Sequence, residues 1–222
     1  EVYKYSTAAF IEDQDMFRFS GIFRSVRLLA MPQVNLVDLF LKPTVDKQLH
    51  TGNLSMSLSF DGKLAGTSAK IVVQSPSQNI VWQETVAISS HVTPSSAVIE
   101  NVALWSHKHP NLYQLLITIF DANQNIIAVV PYSFGFRRLH KDSHNRVTLN
   151  NVPLRLNGVN RHEWSPTGGR AITVSDMAKD ISIFKDNHIN AIRTSHYPNQ
   201  IPWYHLCDQN GIYMMAEKIG RA

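Results

Sequence analysis

Apolar positions in the middle of the chain follow the period of short β-strands. Between residues 32 and 137, alternating or continuous apolar segments are separated by turn sequences such as Asp-Gly and Asp-Ala-Asn. The pattern predicts strands over residues 34–42, 54–60, 69–74, 80–85, 97–102, 112–120 and 126–135. About seven strands in about 105 residues are typical of an immunoglobulin-like β-sandwich, although the chain has no cysteine pair of the antibody kind.

The last third of the chain has a different pattern, in which strands alternate with helices. Residues 147–149 and 152–154 predict a hairpin. Short apolar segments at 154–157, 189–192 and 212–215 predict three buried parallel strands. Because the strands are separated by helices, the order fits the first three β/α units of a TIM barrel. We therefore predict a multi-domain protein in which a β-sandwich is followed by an incomplete (β/α)8 barrel.

The first of the two predicted helices covers about residues 175–188. Four of its residues are spaced to form one apolar face: Met177, Ile181, Phe184 and His188. Its start can be capped by Thr173 together with Asp176, or by Ser175 alone.

The second helix is predicted over about residues 201–209. Pro202 is tolerated in its first turn, and Gly211 is placed to supply the left-handed residue that ends it. Cys207 lies in the apolar pattern of this helix, which favours a buried packing residue over a nucleophile. It is the only cysteine, so an internal disulfide is impossible and a reducing compartment, the cytoplasm, is expected.

The first 31 residues are too few to form a sheet of their own. Strands are predicted over 4–11 and 22–29, on either side of a polar turn. We interpret this segment as the end of a larger β domain, and because the chain begins with Glu1 and not Met, we expect the natural N-terminus to lie upstream.

The charge balance does not indicate a nucleic-acid partner. The net charge is +4 and the isoelectric point is about 9.2, but the basic residues are scattered along the sequence. Their one cluster, at residues 137–141, fits a solvated connection better than a phosphate-binding face, which needs many cations together. No apolar run approaches the length that spans a bilayer, so no membrane partner is expected either.

The candidate chemistry lies at the ends of the first two predicted parallel strands. The run GVNRHE follows the first strand and RTSHYP follows the second. Because the C-terminal strand ends of a barrel meet in one place, His162 and His196 are predicted to face a shared pocket. A structural hydrogen-bonding role for either histidine is the alternative. Arg161 and Arg193 are expected to orient neighbouring carboxylates, since a guanidinium pairs well with two oxygens.

Four runs in order resemble glycoside hydrolase family 2. They are residues 12–24 (EDQDMFRFSGIFR), 104–113 with 135–137 (LWS, PNLY and GFR), 158–163 (GVNRHE) and 193–198 (RTSHYP). Together they extend over nearly all of the 222 residues. The form of the first run is more similar to the β-galactosidases than to the family's glucuronidases or mannosidases.

The resemblance implies pieces of three domains. Residues 1–31 would end a jelly-roll sugar-binding domain, residues 32–137 would form the immunoglobulin-like sandwich, and residues 138–222 would begin the catalytic barrel. The complete enzyme would hydrolyse terminal β-D-galactosides such as lactose with retention, as a homo-oligomer.

The resemblance also implies the residues that meet the sugar. Asp15 matches the aspartate that lines the galactose site and helps to hold a sodium ion, whereas His162 and His196 match the histidines that contact sugar hydroxyls. An imidazole suits this task because one nitrogen donates while the other accepts. Glu217 ends the third strand and is a further supporting residue. The run around it departs from the family, since the aspartate before it is Ala216 here and the expected magnesium ligands do not follow.

No segment matches the two catalytic glutamates of the family, which come from later strands. Retaining hydrolysis needs an acid/base and a nucleophile about 5 Å apart, so the chain by itself is expected to be inactive. Two alternatives stay open. The chain could be a non-catalytic sugar-binding or assembly piece, or the complete protein could act on another glycoside, as the β-glucuronidases do.

Overall fold

Two antiparallel sheets form the middle of the chain in the computed structural model, which describes residues 21–217. The strands are β1 (Val34–Val45), β2 (Thr51–Gly62), β3 (Ser68–Gln74), β4 (Ile80–Ala87), β5 (His91–Val92), β6 (Ala97–Glu100), β7 (Tyr113–Phe120) and β8 (Ile126–Phe134). In one sheet β2 pairs with β1, β5 and β6, and the other sheet has the order β4-β3-β7-β8. All seven strands predicted from the pattern are present. The two-residue β5 was missed because it is too short to show a period.

Alternating side chains from the two sheets build one core. Along β7 every second residue is buried, from Tyr113 to Ile119, and β2 alternates in the same way from Gly52 to Phe60. These buried side chains belong to a single hydrophobic cluster. The period of two that predicted the strands is therefore the period with which they contribute to the core.

A small antiparallel sheet follows the sandwich. It contains β9 (Leu139–Lys141), β10 (Val147–Leu149) and β11 (Val152–Pro153), in the order β11-β10-β9. The hairpin predicted at residues 147–149 and 152–154 is confirmed.

The last part of the chain alternates strands with helices. Its elements are β12 (Gly158–Arg161), α1 (Val174–Asp186), β13 (Ala191–Thr194), α2 (Ile201–Asn210) and β14 (Tyr213–Met215). The three strands pair in parallel in the order β12-β13-β14. Among residues 21–217, no helix is both long enough and apolar enough to cross a membrane.

The start of α1 and the end of α2 are formed by the residues that the sequence predicts. Thr173 caps α1 through its hydroxyl, which accepts from the Asp176 N–H at 3.2 Å, while the Asp176 carboxylate accepts from the Thr173 N–H at 2.8 Å. Gly211 ends α2 with a φ of 71°, a conformation that costs least without a Cβ. The helices bury side chains against the sheet in a second cluster: Ile172, Met177, Ile181, Phe184, Ile192, Trp203, Cys207 and Ile212.

Five details of the predicted elements were wrong. Residues 22–29 form no strand, because no strand of the described region pairs with them, and their apolar side chains other than the half-buried Phe23 are exposed. The first parallel strand is β12 and not residues 154–157, and the second begins two residues later than predicted. His188 lies beyond the end of α1 and is exposed. The third strand, β14, is only partly buried, and Met215 on it is 63% exposed. Strand limits here are set by parallel hydrogen bonding, which polar residues make as well as apolar ones.

By their contacts, the described residues fall into two units. One contains residues 28–155, with the sandwich and the small sheet. The other combines residues 21–27 with residues 156–217, which include the parallel sheet and both helices. The domain limits predicted at 31/32 and 137/138 stay predictions. The strand predicted over residues 4–11 lies outside the described residues.

Candidate functional site

Parallel pairing of β12 with β13 brings the two predicted histidines together. Arg161 and Thr194 are partners in register, His162 directly follows β12, and His196 lies two residues after the end of β13. Their ring centroids are 5.4 Å apart with an interplanar angle of 81°, and both rings are half-buried. The buried ring of Tyr197 lies 5.9 Å from that of His162. Three ring side chains thus meet at the C-terminal edge of the sheet.

Glu217 joins this group from the end of the third strand. Its carboxylate Oε2 is 3.3 Å from His196 Nδ1 and accepts from Arg193 Nη2 at 2.6 Å. Its backbone N–H donates to Thr194 Oγ1 at 2.9 Å. A carboxylate at Nδ1 favours a proton on that nitrogen, which leaves Nε2 of a neutral ring as an acceptor.

Arg161 lies on the helix side of the sheet and not beside the histidines. It is 5% exposed, and its Nε donates to Asp180 on α1 at 2.9 Å. Its Nη1 donates to Asn199 Oδ1 at 2.7 Å, and the guanidinium carbon is 3.7 Å from the ring centre of Trp203. Arg161 therefore joins the strand to both helices. Arg193, by contrast, faces the histidine side through Glu217.

Glu163 is the most buried carboxylate near the site, with 2% exposure. Its Oε1 accepts from the Gln200 N–H at 2.6 Å, and its Oε2 accepts from Arg24 Nη2 at 2.9 Å. Its own N–H donates to the Tyr197 hydroxyl at 3.0 Å. As expected for neighbours on an extended segment, His162 and Glu163 point in different directions.

Two further cations surround the segment after His196. Arg24 Nη2 donates to the Pro198 carbonyl at 2.7 Å. The Arg170 guanidinium lies 4.2 Å from the ring centre of Phe23 and 5.0 Å from that of Tyr197. Sequence reasoning missed both arginines. The SGIFR run that contains Arg24 was the only signal, because neither residue follows a strand end.

The charge state of His162 is set by its surroundings. Burial of the ring, followed by the charges of His196 and Arg170, lowers the pKa of His162 below the ordinary histidine value. All three causes oppose the imidazolium form. A neutral ring keeps one donor and one acceptor nitrogen, which is the pair that a hydroxyl group can use.

This lowered pKa predicts how the region responds to pH. The unfolded chain has an ordinary histidine value of about 6.5, so the folded state binds fewer protons just below that pH. The contribution of His162 to the free energy of unfolding is therefore complete above about pH 6.5, and it is lost as the pH falls towards the pKa of the folded state. We expect the NMR titration midpoint of His162 to lie below about 6.5.

Replacing Arg170 with Gln removes one of the three causes, so Arg170→Gln should raise the His162 midpoint while leaving it below the ordinary value. Arg146→Gln, at an exposed turn of the other unit, should leave the midpoint unchanged. A wild-type midpoint at or above the ordinary histidine value would contradict the electrostatic picture.

Of two other residues considered from the sequence, the structure describes Cys207 but not Asp15. Cys207 is fully buried, and burial, aided by the charge of Asp208, raises the pKa of its thiol to about 12, so a packing role is supported. Asp15, the predicted sugar and sodium residue, lies outside the described residues. Within residues 21–217, no group of three or more His, Cys, Asp or Glu side chains is placed to hold a metal ion.

Comparison with sequence families gives three matches in order along the chain. The sugar binding domain of glycosyl hydrolases family 2 matches residues 1–32, a second domain described as glycosyl hydrolases family 2 matches residues 34–137, and the family's TIM barrel domain matches residues 141–221.

Curated relatives are similar over nearly the whole chain. The beta-galactosidase large subunit of Lactobacillus acidophilus is 52% identical over 217 residues, which are 98% of this chain and 34% of the relative. That of Leuconostoc lactis is 45% identical over 97% of this chain and 34% of its own length. The beta-galactosidase of Halalkalibacterium halodurans is 38% identical over 98% of this chain and 21% of its own length. The chain therefore spans about a third or less of these relatives.

Solved structures with the same fold include two beta-glucuronidases. The apo structure of Bacteroides uniformis beta-glucuronidase 3 has a TM-score of 0.84 and 25% identity, and the match covers 92% of this chain and 25% of that one. The Parabacteroides merdae enzyme has a TM-score of 0.79 and 25% identity, with 85% and 24% covered.

Proposed function

This chain belongs to glycosyl hydrolase family 2, and on that premise we propose that it is part of a retaining β-galactosidase. The observation that carries the proposal is the 52% identity to a beta-galactosidase large subunit over 98% of the chain, against 25% identity to the beta-glucuronidases. In the complete protein the substrate would be a terminal β-D-galactoside such as lactose.

Within that enzyme, His162 and His196 would contact sugar hydroxyls, together with Asp15. The T-shaped imidazole pair supports this, because it presents donor and acceptor nitrogens at the strand ends where barrel enzymes place their chemistry. Contacts that tighten as the sugar ring distorts would raise turnover and not only affinity. Glu217, oriented by Arg193, would hold His196, and Arg161 would keep the strand and helices in position.

The remaining features of the complete enzyme are also proposals. Residues 1–31, 32–137 and 138–222 would be the end of a jelly-roll domain, an immunoglobulin-like sandwich and the first three units of the barrel. Asp15 would help to bind sodium, and magnesium would be held by residues of other segments. The name "large subunit" of the relatives supports a companion chain, whereas our sequence-based expectation was a homo-oligomer. A cytoplasmic location is proposed from the single reduced cysteine.

Hydrolysis of a panel of nitrophenyl glycosides by the complete protein tests this function. We expect kcat/KM for the β-D-galactoside to exceed that for the β-D-glucuronide by about 1,000-fold or more, because polar groups built for one sugar are left unpaired by another. The 222-residue chain is the matched control and should release no nitrophenol. A preference for the glucuronide would instead favour the glucuronidase alternative, and no hydrolysis by the complete protein would favour a non-catalytic role.

A further inference from the structure

We propose that Glu163 and Arg24 are positioning residues that hold the segment after His196, and so keep the two histidines facing each other. The proposal goes beyond the contacts of the histidines themselves, and its catalytic consequence rests on the proposed function. The proposal rests on the hydrogen bonds of Glu163 and Arg24 to three of the four residues that follow His196: the Glu163 carboxylate binds Gln200, the Glu163 N–H binds Tyr197, and Arg24 binds Pro198.

The carboxylate makes the first part of this arrangement. Glu163 is 2% exposed, so its charge has left water and requires partners. Oε1 accepts the Gln200 N–H at 2.6 Å, and the Glu163 N–H fixes the Tyr197 hydroxyl at 3.0 Å. Both bonds join Glu163, two residues after the end of β12, to the segment that carries His196, across 37 and 34 positions of sequence.

The hydrogen bond from the Gln200 N–H to Glu163 Oε1 places an anion at the start of α2. Gln200 is the N-cap of this helix, but its side chain makes no capping hydrogen bond and the first turn has no acidic residue. The backbone N–H groups at a helix start favour a negative charge. Glu163 supplies that charge from the segment that follows β12. The start of α2 is therefore tied to this segment.

The arginine makes the second part. Arg24 Nη2 lies between Glu163 Oε2 at 2.9 Å and the Pro198 carbonyl at 2.7 Å, and donates to both. It neutralises the buried carboxylate and holds Pro198 at the same time. Arg24 is 139 positions from Glu163 in sequence, so a segment from the far end of the chain takes part in shaping the site.

Arg170 completes the support from the other side. Its guanidinium lies over Phe23, the residue before Arg24, and over Tyr197. Tyr197 in turn contacts the His162 ring. A chain of contacts thus runs from Arg24 and Glu163 through Tyr197 to the histidine pair.

The test combines amide exchange in the 222-residue chain with kinetics of the complete protein. Glu163→Gln keeps the size of the side chain but replaces one acceptor oxygen with a donor, so it cannot accept from both Gln200 and Arg24. We expect the Gln200 amide to exchange about 10-fold faster or more, because hydrogen bonds to charged groups are among the stronger ones. Amides of β7 in the other unit should be unchanged and report an intact fold.

Arg24 variants keep the proposal testable if Glu163→Gln does not fold, because the Arg24 side chain is 39% exposed. Arg24→Met removes both bonds, whereas the ammonium of Arg24→Lys can still donate to both acceptors. We expect kcat/KM to fall about 10-fold or more for Arg24→Met, with Arg24→Lys between Arg24→Met and wild type and the loss appearing in kcat as well as KM. Asp142→Asn, which breaks an exposed ion pair in the other unit, is the control and should behave as wild type.

The outcomes separate this proposal from the proposed function. Faster Gln200 exchange together with rescue by Arg24→Lys supports the positioning role. Wild-type exchange at Gln200 in Glu163→Gln and Arg24→Met would overturn it, as would faster exchange with unchanged kinetics. If the complete protein does not hydrolyse galactosides, the proposed function fails, but the exchange measurement still decides whether these residues hold the segment.

Discussion

Replacing His196 with Ala in the complete protein should lower kcat/KM for a nitrophenyl β-D-galactoside by about 100-fold, the value of one or two hydrogen bonds that strengthen in the transition state. His196 is placed for such bonds. Glu217 contacts its Nδ1 at 3.3 Å, so Nε2 is left to meet a hydroxyl. Because the contact would tighten as the sugar distorts, most of the loss should appear in kcat and not in KM.

Two further variants show whether the imidazole itself is needed. His196→Asn can keep a side-chain donor near Glu217 but is too short to replace Nε2, so it should be nearly as slow as His196→Ala. His144→Ala, at an exposed turn of the other unit, should keep wild-type kinetics. Unchanged constants for His196→Ala would remove His196 from the sugar site, and full activity of His196→Asn would reduce its role to holding Glu217.

Replacing Trp203 with Ala should destabilise the unit that contains the parallel sheet by about 4 kcal/mol or more. Burial of a large aromatic side chain accounts for about 3–5 kcal/mol, and Trp203 is fully buried in the cluster between the helices and the sheet. The change also removes the ring under the Arg161 guanidinium, which lies 3.7 Å from its centre. A desolvated cation–π contact contributes up to about 2 kcal/mol. Urea unfolding followed by the methyl signals of Ile181 and Ile192 would measure the effect.

Trp203→Phe is the matched control for this change. It keeps an aromatic face for Arg161 and removes the indole Nε1, which is buried without a hydrogen-bond partner among residues 21–217. We therefore expect a much smaller loss than for Trp203→Ala. The methyl signals of Ile117 in the sandwich should be unaffected by either variant, because Ile117 belongs to the other core. Similar losses of stability for Trp203→Ala and Trp203→Phe would show that the cavity left by the side chain is not the main cause of the destabilisation.

The fold was predictable where one period dominates. The sandwich strands alternate with a period of two because one face of each sheet is buried, and the pattern located all seven of the longer strands. The N-terminal cap of α1 and the C-terminal cap of α2 were equally predictable, since Thr173, Asp176 and Gly211 act within a few residues of their own position. The first parallel strand could not be located from the sequence pattern. Gly158–Arg161 has three exposed residues, and only pairing with β13 makes it a strand.

The candidate site, like the fold, could be predicted from the sequence only in part. His162 and His196 could be proposed from sequence because each follows a strand, and parallel strands end at one edge. Glu163 and Arg24 were visible only as members of the GVNRHE and SGIFR runs, and Arg170 gave no signal. Their roles come from partners far away in sequence, and such pairs depend on how the chain returns on itself.

The sequence by itself determined local features of this protein: the longer strands of the sandwich, the start of α1, the end of α2, and that two imidazoles follow neighbouring strands. Only the tertiary structure decided that Arg24 meets Glu163 across 139 positions, that Arg161 turns towards Trp203, and that His162 is buried enough to lower its pKa. The physical reason is the distance along the sequence over which each effect acts. Periodicity and capping act over a few residues, whereas burial and ion pairing depend on groups brought together by the packing of the whole unit.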